Sequence, residues 1–356
     1  VGKWAEGEVV MSIDYKAAGV NIEAGNEAVR RIKTLVQSTF SPAVLTPIGH
    51  FGAMYDLKPI LETYRHPVLV QSMDGVGTKM MVSKMMQQFD TIGIDLVSAT
   101  ANDIIVMGAK PLTLLDYIAN DKLDPHVIER IISGMVQACR ENDIALVGGE
   151  MAEMPGTYCP GEYDLVGLVL GVVEKEKAIL GHHIAVGDRV MAFPSSGLHT
   201  NGYSLARKLL FEVGGYSVDT ILPGFSQSIG EVLLAPHVNY TQPIMALLQQ
   251  GVPIHGMAHI TGGGVLENIP RVLPAHCAVE IEKSACPVPL IFDELAGLGK
   301  LDEAALYRTF NMGIGFVMIV PLQGLPLMQQ VLENYPAFPL YEIGEVVHGQ
   351  KEVQLI

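Results

Sequence analysis

The sequence predicts a two-domain protein of the α+β or α/β class. Three observations carry that reading. The chain has 356 residues, and at roughly 100–200 residues per domain that length suits two. Apolar strand-like runs alternate with helical stripes in both halves, the pattern of mixed α/β layers. A charged, turn-rich stretch from Glu174 to Asp188 interrupts the alternation near the middle. It divides the chain into an N-terminal mixed-sheet domain over 15–174 and a C-terminal α/β domain over 175–356. Residues 1–14 read as an N-terminal extension. Val1 to Val10 differ in character from the rest of the chain, and Met11 reads as a natural start with foreign residues before it.

In chain order, Asn26 to Val36 reads as a helix, with Val29, Ile32, Leu35 and Val36 on one stripe and Arg30, Arg31 and Lys33 off it. A loop through Pro42, Pro47, Gly49 and Gly52 comes next. Pro67 to Met73 is a buried strand ending at Asp74, Ile94 to Met107 a helix, and Leu112 to Ala119 a strand. The next helix is the clearest element. Asp124 is its N-cap and Pro125 its first-turn residue, and Ile128, Ile131, Ile132, Met135, Val136 and Cys139 keep helical spacing. Ile144 to Val147 is a short strand running into Gly148-Gly149-Glu150, and Leu165 to Val173 is another. In the second half, Arg189 to Phe193 is a strand, Pro194 to Gly202 a polar loop, and Tyr203 begins a helix. That strand–loop–helix pattern recurs over Ile254 to Ile269, with Thr261-Gly262-Gly263-Gly264 in the loop. Gly313 to Val320 is a late strand.

Composition removes several function classes. A net charge of −15 argues against a nucleic-acid surface, which needs Lys/Arg patches. The longest apolar run, Leu165 to Val173, is about half of the roughly 20 residues of a membrane helix. The four cysteines, Cys139, Cys159, Cys277 and Cys286, form no C-x-x-C pair, so no zinc motif is expected. Their sparseness and the lack of a signal pattern suit a reducing, cytoplasmic compartment.

The chemistry-bearing residues sit at strand ends. There is no G-x-x-x-x-G-K-[ST] loop and no G-x-G-x-x-G fingerprint. Asp74-Gly75-Val76-Gly77-Thr78-Lys79 offers an alternative. Gly75 and Gly77 let backbone N–H groups approach a phosphate, Lys79 adds a charge, and Asp74 can hold Mg²⁺. An ordinary turn with a solvated Asp and Lys fits the same spacing. In the next helix Asp95 and Asn102 are seven apart, about 20° from eclipsed, with Asp103 about 80° round. Carboxylates in so apolar a segment need a partner or a metal. Glu150, after two glycines, is a third acidic residue at a strand terminus. In the second half, Ser195 to Gly202 and Thr261 to Gly264 each precede a helix and can present N–H groups to an anion. Caps and turns explain them equally well. His199 is either an acid/base or an exposed loop residue. The other histidines have no spacing that implies a partner.

Seven collinear segments together resemble one family, the phosphoribosylformylglycinamidine cyclo-ligases, or aminoimidazole ribonucleotide synthetases. They are DYKAAGVNIEAGN, PVLVQSMDGVGTK, TIGIDLVSATANDI, VGGEMAEMPGTY, SSGLHTNGYS, HITGGGVLENIPRVLP and YRTFNMGIG. Departures are small: Met73 stands where a small or polar residue is common, and Cys159-Pro160 lies in a variable stretch. The resemblance implies a ligase of purine biosynthesis that closes the imidazole ring of formylglycinamidine ribonucleotide with ATP, releasing ADP and phosphate. It implies ATP and Mg²⁺ as cofactors, with a monovalent cation as a further candidate, and a homodimer whose N-terminal domains pair through their sheets. Carried over position by position, Asp74, Asp103 and Glu150 are the metal-linked set, supported by Asp95 and Asn102. Asp74, Gly75, Gly77, Thr78 and Lys79 bind ATP. Tyr15 to Gly25 closes over it. Lys33, Asp103 and His199 are the catalytic candidates. Ser196, Gly197, His199, Asn201, Thr261, Gly262 and Gly263 face the substrate.

Two alternatives stand beside this reading. Other ATP-using enzymes of the same superfamily fit less well. A selenophosphate synthetase needs a cysteine near its N-terminus, whereas the first here is Cys139. A hydrogenase-maturation dehydratase ends in cysteine, whereas this sequence ends Leu355-Ile356. A non-catalytic nucleotide-binding homologue predicts loss of the acidic set, which is intact.

Overall fold

The computed structural model describes residues 19–356. The expected extension over 1–14, and Tyr15 to Ala18 of the stretch expected to cover ATP, lie outside the described residues. The first half contains α1 (Ile22–Gln37), α2 (Lys58–Thr63), β1 (Pro67–Gly75), α3 (Lys79–Met86), α4 (Asp90–Ile105), β2 (Lys110–Asn120), α5 (Pro125–Glu141), β3 (Ala145–Glu153) and β4 (Tyr163–Glu174). Its four strands form one sheet in the order β1-β4-β2-β3. β4 runs antiparallel to both β1 and β2, and β2 is parallel to β3. This is a mixed sheet, as expected.

Helix α5 begins as the sequence dictates. Asp124 accepts from the His126 N–H at 2.9 Å and Pro125 fills the first turn. Its apolar face (Ile128, Ile131, Ile132, Met135) is buried with Ile92 and Leu96 of α4 and with Ile32 of α1. Gly93 and Gly134 let α4 and α5 touch through their backbones. A Cβ on Gly134 would meet the Asp90 carbonyl at 1.8 Å.

The second half contains β5 (Arg189–Pro194), α6 (Tyr203–Arg207), α7 (Ile229–Leu233), α8 (Thr241–Gln249), β6 (Gly256–His259), α9 (Gly264–Asn268), β7 (Cys277–Ile281), α10 (Ile291–Gly299), α11 (Glu303–Thr309), β8 (Ile314–Val320), α12 (Leu325–Leu332), β9 (Tyr341–His348) and β10 (Val353–Leu355). The strands form a six-stranded sheet, β10-β7-β9-β5-β8-β6. Only the β10–β7 pair is parallel. One face of this sheet packs on a large cluster around Ala192, Val317 and Phe292, the other on Phe193, Tyr240, Phe316 and Met328.

Two elements differ from expectation. α4 starts at Asp90 rather than at Ile94. It is buried nearly all round, so no single stripe marks its start. β3 does not stop at Val147 but continues through Gly148 and Gly149 to Glu153. The two glycines are strand residues. A Cβ on Gly149 would lie 2.4 Å from both the carbonyl and a carboxyl oxygen of Asp116 on β2.

Candidate functional site

The polar side of α4 faces the second half of the chain, and the expected site residues gather there. Asp95 is fully buried. Its carboxylate receives Lys79 Nζ at 2.8–2.9 Å and the His237 N–H at 2.7 Å. Lys79 is equally buried and also donates to the Ala235 carbonyl at 2.7 Å. Burial pushes Asp95 up and Lys79 down, each towards neutrality, and their attraction opposes both shifts. The neighbours favour the charged pair, because an N–H donates to the carboxylate and a carbonyl accepts from the ammonium.

This corrects two expectations. Lys79 does not reach a phosphate, and Asp95 is not open to a metal: each has spent its charge on the other. Asn102 is corrected for the same reason. Its Oδ1 accepts from the Tyr240 N–H at 3.0 Å and its Nδ2 donates to the Val238 carbonyl at 2.8 Å. Asp95, Lys79 and Asn102 therefore grip the segment 235–240 and fasten the two halves together.

Asp103, the next residue along α4, is different. Its carboxylate accepts from Ser72 Oγ at 2.9 Å and pairs with His259 Nδ1 at 2.8 Å, with 30% of the side chain exposed. Asp74 lies at the end of β1. One of its oxygens accepts from the Gly75 N–H at 2.7 Å. Burial raises the Asp74 carboxyl and the charge of Asp103 raises it further, against the Gly75 hydrogen bond. Two mutually repelling carboxylates from separate elements are oxygen donors that a hard cation such as Mg²⁺ suits.

Glu150 does not join them. Asp74, Gly167, Asp116 and Gly149 form one row across the sheet. Glu150 is the residue after Gly149, so it lies three strands from Asp74, roughly 14 Å, and points to the opposite face. It is exposed in mid-strand, not at a strand end. Lys33 is exposed on α1 and makes no hydrogen bond or ion pair with a site residue among the described residues. Gly77 has φ 53°, which glycine tolerates best, and Thr78 Oγ1 meets Ser204 Oγ at 3.1 Å across the seam.

The two loops of the second half come together. Asn201 Oδ1 accepts from the Gly262 N–H at 3.0 Å, tying Ser195–Gly202 to Thr261–Gly264. Asn268 Nδ2 donates to the carbonyls of Gly262 and Gly264, and Thr261 Oγ1 donates to its Oδ1 at 3.3 Å. Asn311 holds Ser195 and Gly197 in the same way. Ser196 and Gly197 line a cavity of about 200 Å³ with Phe225, Gln227 and Leu290.

His199 is buried with φ 57°, stacked on His237 at 3.9 Å between ring centroids. Burial pushes both imidazoles well below their usual range. His199 is thus not an exposed loop residue. His237 and His259 were not legible as site residues: their partners lie 135 and 156 positions away, at Asn102 and Asp103. The one local signal was that His259 begins a family-like segment. Asp116 was also missed. It sits buried at the middle of the carboxylate row, its carboxyl raised to about 7 by burial.

Comparisons with known proteins match both halves of the chain. Residues 59–173 match the family model described as AIR synthase related protein, N-terminal domain, and residues 185–356 match the C-terminal domain model of the same description. A phosphoribosylformylglycinamidine cyclo-ligase of Geobacter sulfurreducens is 49% identical over 96% of this chain and 98% of its own. One from Caldanaerobacter subterraneus is 46% identical over 96% and 99%. Among solved structures, thiamine-monophosphate kinase from Stenotrophomonas maltophilia has the same fold at TM-score 0.66, 18% identity, and coverage of 91% and 95%. The hydrogenase maturation protein HypE in complex with ATP also shares it, at TM-score 0.63, 21% identity, and coverage of 92% and 90%. With both domain models matched in order and near-full-length relatives at almost half identity, the chain belongs to the phosphoribosylformylglycinamidine cyclo-ligase family.

Proposed function

We propose that this chain is an ATP-dependent cyclo-ligase that converts formylglycinamidine ribonucleotide to aminoimidazole ribonucleotide, ADP and phosphate in purine biosynthesis. The observation that carries the reading is the 49% identity across both domains. The seam between the domains, where Asp103 meets His259 beside the tied loops, supplies a place for the chemistry. An amide oxygen is a poor leaving group; once phosphorylated, it leaves readily when the ring nitrogen attacks its carbon. The chain's work is positioning and charge stabilisation.

Asp74 and Asp103 hold the Mg²⁺–ATP end, with Gly75 and Gly77 admitting a close backbone approach. When bound, Mg²⁺ would neutralise the phosphate oxygens. Ser196, Gly197, Asn201, Thr261, Gly262 and Gly263 face the substrate, their loops rigidified by Asn268 and Asn311. Ser72 and His259 fix the Asp103 carboxylate between the two ends. We place the division between domains at residues 174 and 175.

A second copy of the chain would cover the outer face of the first sheet, where Leu69, Met73 and Leu115 are exposed. Light scattering reads this directly, and a monomer at micromolar concentration would remove the dimer. No described helix is long and apolar enough to cross a membrane. The test of the reaction is ADP release by the purified protein with ATP and Mg²⁺, with and without formylglycinamidine ribonucleotide. Release that does not depend on that nucleotide would sink the assignment. Adding K⁺ to the same assay shows whether a monovalent cation is required.

A further inference from the structure

Three imidazoles meet behind Asp103. His199, His237 and His259 are all buried, and each offers a nitrogen within 4.8 Å of the others. Partner accounting fixes what two of them present. His259 Nδ1 faces the Asp103 carboxylate at 2.8 Å, so that nitrogen carries a proton and Nε2 points inward. Asn102 cannot be turned over, because its Oδ1 receives the Tyr240 N–H and its Nδ2 gives to the Val238 carbonyl. Its other amide hydrogen points at His237 Nε2 at 3.2 Å, which is therefore a lone pair. His237 Nδ1 then carries the proton and gives it to Thr200 Oγ1 at 3.3 Å.

The two Nε2 atoms face each other at 3.0 Å. With both rings neutral, two imidazole lone pairs at that distance repel unless a cation, a proton or a metal ion, lies between or beside them. His199 supplies the third group. Its ring stacks on His237 and its backbone is held at φ 57°. Its Nε2 accepts from the Ser196 N–H at 3.2 Å and so holds the lone pair, which leaves the proton on Nδ1, buried without a partner.

We propose that His199, His237 and His259 form a nitrogen-donor site for one borderline divalent metal ion of the Zn²⁺ or Co²⁺ type, separate from the oxygen donors of Asp74 and Asp103. The donor type decides the class, since neutral imidazole suits Zn²⁺ and Co²⁺, whereas Mg²⁺ takes oxygen. Each of His237 and His259 has its far nitrogen oriented by an oxygen acceptor, Thr200 and Asp103. A histidine that ligates a metal is usually held in this way. The Nε2 pair already has the spacing of adjacent ligands. A metal–nitrogen bond of 2.0–2.1 Å implies edges of about 3.4 Å in a tetrahedron, so binding requires that His237 Nε2 release the Asn102 amide hydrogen and that His199 close inwards, giving up its acceptance from the Ser196 N–H. Entry is through Asp103, which is partly exposed just outside His259.

The test is direct metal uptake by the full chain after chelator treatment. Co²⁺ titration followed by its visible ligand-field bands, and Zn²⁺ competition for the same bands, should give one ion per chain that excess Mg²⁺ does not displace. His237→Asn should weaken uptake by at least about 100-fold, beyond the roughly 10–100-fold that loss of an outer partner costs. Asp74→Asn should leave it unchanged. His237→Gln is the second variant should Asn prevent folding, with circular dichroism as the check. Absence of Co²⁺ and Zn²⁺ uptake by the parent would overturn the proposal, leaving a shared proton between the Nε2 atoms. Uptake that survives His237→Asn and disappears with Asp74→Asn would overturn it too, by placing the ion at the carboxylates.

Discussion

Helix α4 carries Asp95 and Asp103 beyond the Asp90 of its first turn, and the fold treats these two carboxylates as opposites. Asp95 is fully buried, matched to Lys79 and a backbone N–H, with Lys79 satisfied in turn by the Ala235 carbonyl. Asp103 is paired with Ser72 and His259 yet keeps one side open. The first arrangement is closed: Oδ1 takes both hydrogen bonds, Oδ2 has only the Lys79 ammonium beside it, and no solvent reaches either, so its role is to join the domains. The second is incomplete on the side facing Asp74, and there a ligand gains by binding. Burial with a countercharge supplied marks assembly, and partial exposure beside a like charge marks chemistry.

Breaking the closed pair should give the largest effect. Lys79→Met strands the Asp95 charge in the seam and should cost about 3–5 kcal/mol, the usual result of halving a buried ion pair. Denaturant unfolding measures it. The sharper version adds Asp95→Leu: if the pair serves assembly alone, the double variant recovers much of the loss. A double variant as unstable as Lys79→Met would show that Asp95 contributes through contacts other than Lys79.

Asp103→Asn should do the reverse. It removes the charge but keeps the shape, so the fold should survive, with a melting temperature near the parent's. ADP release should fall by about 10²–10³-fold, as when one stabilising group is lost from a preorganised site. Near-parental turnover would show that the open carboxylate is as structural as the closed one.

Asp116 is a third case, a carboxyl with neither cation nor opening. Its folded value of about 7 stands above the ordinary 3.8. Below about pH 4 both folded and unfolded chains hold the proton and the group costs nothing. Between 4 and 7 the unfolded chain loses its proton first, so stability falls as pH rises, and above 7 the cost is complete. Asp116→Asn should therefore gain roughly 1–3 kcal/mol relative to the parent on moving from pH 5 to pH 8. Melting temperatures at the two values check it. A difference independent of pH would mean that Asp116 is already charged at pH 5, held by a cation in the row it shares with Asp74.

The contrast between these carboxylates was only half legible in the sequence. The strands, the capped helix α5 and the collinear segments could be read because they are local: apolar period, cap chemistry and motif order lie within a few residues. Even Gly148-Gly149 misleads, because the reason for Gly149 is Asp116 on the neighbouring strand, whose carbonyl and carboxyl oxygens leave no room for a Cβ. Lys79 reads as a phosphate contact in the sequence because a lysine after a glycine loop has that use. Its partner sits 16 residues on and its burial depends on residue 235. His237 and His259 carry no local signal for the same reason, since their partners lie in a helix more than 130 positions earlier. Spacing along the chain reports faces of helices and strands; it does not report which carboxylate the other domain will close over.

Lys33 is where the smallest effect has the most to say. Its side chain is exposed on α1, and no described residue near the carboxylates holds it. Its removal should therefore move stability by no more than about 0.5 kcal/mol, the ordinary range of an exposed substitution. If α1 reaches the nucleotide when ATP is bound, Lys33→Ala should raise KM for ATP several-fold while leaving the fold untouched. Salt should shrink that difference, because an exposed charge is screened. Unchanged kinetics at low ionic strength would strike Lys33 from the site. The nucleotide's charge would then be met by the metal and the glycine-loop N–H groups, since Lys79, the lysine nearest in sequence, is committed to Asp95.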